Sequence, residues 1–79
     1  MTEQQEVEKA AHQVFSKKSL DWLVAFTEEN KVAGTWEIEV EVPGGQELIL
    51  SVPKGRIHDV KLSLEQQVEE ELERLKAHS

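Results

Sequence analysis

The 79-residue chain has no cysteine, so disulfides, thiolate metal sites and a cysteine nucleophile are excluded. Only two of its 16 acidic residues are Asp, and the Asp-rich loop that a calcium or magnesium site usually needs is missing. Its four glycines, Gly34, Gly44, Gly45 and Gly55, read as turn glycines and form no phosphate-cradling loop. The longest unbroken apolar run, Trp22 to Phe26, is far short of the roughly 20 residues needed to span a bilayer. His12, His58 and His78 fall in three separate segments without metal-ligand spacing. Ser16, Ser19, Ser51 and Ser63 lack the context of a nucleophile elbow. An enzyme is not expected, nor a metal or other cofactor.

What the chain has is acid: 16 acidic against 9 basic side chains, a net charge of −7. The polar, acidic stretch from Met1 to Glu8 resembles neither a secretory signal nor an Arg-rich transit peptide. These features predict one cytoplasmic domain over residues 1–79.

Thr2-Glu3-Gln4-Gln5 fits a capping box, and Val7, Ala10, Ala11, Val14 and Phe15 then form one helical stripe. With alanine so prominent in it, this helix is expected to bury little area. Ser16-Lys17-Lys18-Ser19 reads as a break. Ser19 would cap a second helix running to about Glu29, wrapped in apolar side chains and ended by a left-handed Asn30. From Thr35 the period becomes 2: Trp36, Ile38, Val40 and Val42 alternate with Glu37, Glu39 and Glu41.

Two similar turns follow, Val42-Pro43-Gly44-Gly45-Gln46 and Val52-Pro53-Lys54-Gly55-Arg56. Both suit a three-residue hairpin loop with its glycine, Gly45 or Gly55, at positive φ. The register that results sets Val42 against Gln46, Val40 against Leu48, Ile38 against Leu50 and Trp36 against Val52. Continued through the second turn, it sets Leu50 against His58 and Leu48 against Val60. Strands are therefore predicted at 35–42, 46–52 and 57–62, with Leu62 on the apolar face. The opposite face would carry Glu37, Glu39, Glu41, Glu47 and Asp59, with Ile49 and Ile57 among them and Lys61 opposite Glu47. A second capping box, Ser63-Leu64-Glu65-Gln66, starts a helix with a narrow Leu64/Val68/Leu72/Leu75 seam. The predicted architecture is α+β: α-α-β-β-β-α, a three-stranded antiparallel meander with the helices packed on one face.

In this reading residues 19–77 are similar in topology to double-stranded-RNA-binding domains, which hold phosphates with lysines at the start of the last helix. The matching stretch here is Ser63-Leu64-Glu65-Gln66-Gln67 followed by Glu69-Glu70-Glu71. Phosphate neutralisation needs Lys or Arg, so no direct nucleic-acid binding is expected. Asn30-Lys31-Val32-Ala33-Gly34-Thr35 is similar to the Gln-x-Val-x-Gly hairpin with which cystatins enter a cysteine-protease cleft. Val32 and Gly34 match, Asn30 replaces the glutamine, and the order of elements departs from that family.

The carboxylate row Glu37, Glu39, Glu41 and Glu47 is the main chemical feature. A solvated outer face accounts for it in part, yet like charges directly opposite one another cost stability. Paired catalytic carboxylates would need a cleft that an open sheet lacks. The expected function is a non-catalytic interaction or regulatory module that binds a basic protein partner through this face. The alternatives are a nucleic-acid-mimicking inhibitor of a DNA- or RNA-handling protein and a homo-oligomeric structural component. Self-association would use strand 35–42, expected at a sheet edge, or the seam of helix 64–77. No membrane association is expected.

Overall fold

A computed structural model describes residues 2–77. Helix α1 (Glu3–Lys17) is followed by strands β1 (Leu23–Asn30), β2 (Thr35–Val42) and β3 (Gln46–Pro53), and by helix α2 (Ile57–Ala77). The strands form one antiparallel sheet in the order β1-β2-β3. The expected α+β meander with helices on one face is thus present, but the predicted second helix is absent: its residues form the first strand, and the predicted third strand, 57–62, is helical.

The capping box of α1 forms as expected. The Thr2 hydroxyl accepts from the Gln5 amide at 3.2 Å, and the Thr2 amide donates to Gln5 Oε1 at 3.1 Å. The α1 stripe is buried throughout and includes Val14 and Phe15, so the helix contributes more to the core than its alanines suggest. Its end is built by Ser19 at φ 56°: the Ser19 amide donates to Ser16 O and the Leu20 amide to Phe15 O, at 3.0 and 2.8 Å. That is a left-handed helix stop, with a residue C-terminal to the cap in the conformation usually taken by glycine. Ser19 therefore ends α1 and caps no second helix.

Residues 23–30, predicted as part of a helix, form β1. A bulge between Val24 and Phe26 breaks the alternation there, which hid the period of 2. Leu23 and Phe26 point away from the helices and Val24 and Thr27 toward them, so the segment has apolar side chains on both faces, a pattern read as a helix wrapped on most sides. Asn30 closes the strand by turn chemistry: its Oδ1 accepts from the Ala33 amide at 3.0 Å and its carbonyl from Gly34 at 2.9 Å.

The β2–β3 register is the predicted one, with Val42 opposite Gln46, Val40 opposite Leu48, Ile38 opposite Leu50 and Trp36 opposite Val52. Gly45 has the positive φ that the three-residue loop requires, but Gly44 is at positive φ as well (100°), so the turn within the loop is not of type I. The second turn makes no hairpin. Gly55 is not left-handed, and residues 57–62, predicted as a third strand, are the first turns of α2. Ile57, Val60 and Leu64 follow helical spacing and continue into Val68, and so short a window fits either period. Leu62, expected on the apolar face, is 52% exposed on the helix.

The helices lie side by side on one face of the sheet, α1 against β1 and α2 against β3. Lys17 pairs with Glu65 at 3.4 Å and Lys18 with Glu69 at 3.0 Å across the two helices, which run in a common direction. Between helices and sheet sit Phe15, Ile38, Leu50, Leu64 and the two tryptophans. Strand 35–42 is central, because β1 occupies the edge it was expected to leave open. The helix seam is also spent internally: Leu64 and Val68 are buried, and Leu72 and Leu75 pack against the core. Among the described residues no helix is long and apolar enough to cross a membrane.

Candidate functional site

The outer face of the sheet, opposite the helices, is set by strand alternation. On β2 it carries Glu37, Glu39 and Glu41, while Trp36, Ile38, Val40 and Val42 turn inward and are buried. On β3 the outward positions are Glu47, Ile49 and Ser51. The four glutamates expected to share a face therefore do so, with Glu47 directly opposite Glu41.

The sheet also adds residues that periodicity had assigned to a helix. Leu23, Phe26 and Glu28 of β1 stand opposite Glu41, Glu39 and Glu37. Three cross-strand rows result: Leu23–Glu41–Glu47, Phe26–Glu39–Ile49 and Glu28–Glu37–Ser51. Five carboxylates thus form an oblique stripe from Glu47 through Glu41, Glu39 and Glu37 to Glu28. Large apolar side chains flank it, Leu23 and Phe26 on one side and Ile49 on the other, each at least half exposed. The signal that could have found β1 is the run of Val24, Phe26 and Thr27, strong strand formers in a segment without a helix-ending glycine or proline.

Among the described residues no ion pair offsets the stripe. Lys61, expected opposite Glu47, lies on α2 and donates to Gln13 Oε1 at 3.0 Å. Asp59 and Ile57, also expected on this face, are in the first turn of α2. Among the described residues the salt bridges join Lys17 to Glu65, Lys18 to Glu69, Lys54 to Glu29 and Arg74 to Glu71, and none reaches the outer stripe. Glu37 accepts a hydrogen bond from the Thr35 hydroxyl at 3.2 Å. Glu29 points to the other face, where Lys54 bonds it and lies 5.7 Å from the centre of the Trp36 ring. The hydrogen bond from Lys54 is the main reason the Glu29 carboxyl is held below its ordinary range.

Of the histidines, His12 and His58 are described and lie on different helices. His12 packs edge-on against Phe15 at 6.3 Å, and His58 lines an open cleft between the helices with Glu6, Lys9, Gln13 and Lys61 rather than meeting Leu50. His78 lies outside the described residues. Among the described residues no group of three potential ligands could hold a metal ion. Because α2 starts at Ile57, the stretch to compare with RNA-binding domains moves to Arg56–Lys61. There Arg56, His58 and Lys61 are interspersed with Asp59 and lie near Glu6.

The cystatin-like segment is the β1–β2 hairpin loop, with Gly34 at φ 68° and Val32 fully exposed at its tip. No family model, curated protein or solved structure matches this chain.

Proposed function

We propose that this chain is a non-catalytic protein-binding module that docks a basic partner through the outer face of its sheet. One observation carries the reading: five glutamates, none in a salt bridge among the described residues, share that face with half-exposed Leu23, Phe26 and Ile49. Folding alone favours neither feature. Directly opposed like charges destabilise a ladder, and exposed large apolar side chains gain nothing from water. A partner that brings cations and apolar groups together relieves both. Complementary charge would speed encounter and fix orientation, and the apolar contacts would lengthen the life of the complex.

Mimicry of nucleic acid would use the same stripe against a phosphate-binding surface. The apolar flanks favour docking by mixed contacts instead, since a phosphate mimic needs only the charge. Salt separates the two: pure charge mimicry loses affinity steeply as ionic strength rises, and a mixed contact loses less.

The test is the double reversal Glu39→Lys with Glu41→Lys, followed by capture of partners from the native cell. Folding should be unchanged or improved, and association with the basic partner should slow by about tenfold or more. Undiminished association at low salt would refute the reading.

A further inference from the structure

The form of the occupant follows from what the outer face offers. Its middle strand, β2, is paired on both sides, so this surface presents side chains and no free backbone groups. A segment lying on it obtains no main-chain hydrogen bonds from this chain and must satisfy its own. An α-helix does that internally, whereas an extended segment would leave its amides and carbonyls unpaired against the sheet.

The stripe also has the dimensions of a helix. At ordinary strand rise and spacing, Glu47 and Glu28 are about 17 Å apart between Cα atoms. That is roughly three helical turns. Strands β1 and β3 lie roughly 10 Å apart, about the width of one helix. A helix along the stripe would set one row of cations against the glutamates. Apolar side chains on either side of that row would meet Phe26 and Leu23 on one flank and Ile49 on the other.

A second copy of this chain does not supply such a helix. The exposed charges of α1 are Glu3, Glu6, Lys9 and Lys17, and those of α2 are Asp59, Glu69, Glu70, Glu73, Arg74 and Lys76, mixed in sign and without a row of cations on either helix. Two outer faces brought together would oppose one glutamate stripe to another. The occupant must come from a different protein.

Resting on the reading of the outer face as the docking surface, we infer that its ligand is a basic amphipathic α-helix of about three turns. Its Lys or Arg residues fall at i, i+4, i+7 and i+11, and apolar residues flank them at i+3 and i+8. It lies obliquely across the sheet from Glu47 to Glu28.

The probe is a synthetic capped peptide of about 16 residues with lysines and leucines in that pattern and alanine or glutamine elsewhere. It is titrated into the isotopically labelled full chain at low ionic strength. The control is an isomer of the same composition with its lysines spread round the helix. The patterned peptide should shift amide resonances of β1, β2 and β3, gain helical circular dichroism on binding, and bind about tenfold more tightly than the isomer. Equal binding of the isomer, or a bound peptide without helical signal, overturns the helix while leaving the outer face as the site, provided Glu39→Lys/Glu41→Lys abolishes binding. Shifts confined to α1 and α2 overturn the face itself. No binding of the patterned peptide overturns the inference directly.

Discussion

Glu28 of β1 stands directly opposite Glu37 of β2, and on the same face Glu41 stands opposite Glu47 of β3. Each is a like-charge cross-strand pair in a sheet whose cations are all elsewhere. Replacing one member by Lys turns repulsion into attraction. Glu47→Lys should therefore stabilise the domain by about 0.2–1 kcal/mol, read as a higher urea midpoint at unchanged slope. A lower midpoint would mean that Glu47 makes a contact this geometry does not contain.

The Thr27 hydroxyl is buried under α1 with no hydrogen-bond partner among the described residues, although the Thr27 carbonyl accepts from Gln4 at 2.7 Å. Valine has nearly the same shape and no polar group to desolvate. Thr27→Val should raise stability by roughly 1–2 kcal/mol in the same measurement.

Trp22 and Trp36 are both at least nine-tenths buried, and Trp22 meets Phe15 edge-on at 5.4 Å. Truncating either to Ala should cost roughly 3–5 kcal/mol, a large share of what a small domain possesses. Native fluorescence should be blue-shifted for both, checked by replacing each with Phe in turn.

The two V-P-x-G turns should respond differently to a side chain. Gly45, at φ 82°, should lose about 1 kcal/mol or more when changed to Val, because a Cβ is strained there even in open space. Gly55 is not left-handed and has nothing within 4 Å of an added Cβ, so Gly55→Ala should be neutral or stabilising by up to about 1 kcal/mol. Equal losses at both positions would contradict the different roles of the two turns.

Acid should weaken the Glu29–Lys54 contact in a definite direction. The carboxyl is depressed in the folded state chiefly by its hydrogen bond from Lys54. Its contribution is therefore full above the unfolded carboxylate range and is lost as pH falls through the lower, folded value. Lys54→Met should flatten this part of the acid-side stability profile, measured as urea midpoints across the carboxylate range. An unchanged profile would show that the pair does not couple to folding.

The residues from Thr35 to Pro53 were legible in the sequence down to the register. Strict alternation, a Pro-Gly-Gly turn and a matched loop length all required the same pairing, and a shift of one residue would have turned every valine and isoleucine outward. The row Glu37, Glu39, Glu41 and Glu47 followed from that register alone. The capping box and buried stripe of α1 were legible as well, because they are local.

Tertiary structure decided the two flanks. Leu20 to Phe26 carries apolar side chains on most sides, with Asp21 among them, and a bulge interrupts its alternation, so no local period distinguished strand from helix. The segment becomes β1 because the other edge of β2 needs a hydrogen-bonding partner. Ile57 to Leu62 satisfies both periods, and pairing on β3 would have extended the sheet where α2 instead covers its inner face. These choices exchange one set of satisfied backbone groups for another, so burial of the common core had to select between them. Through them the outer face lost Lys61 and Asp59 and gained Leu23, Phe26 and Glu28, which turned a row of acids into a flanked stripe.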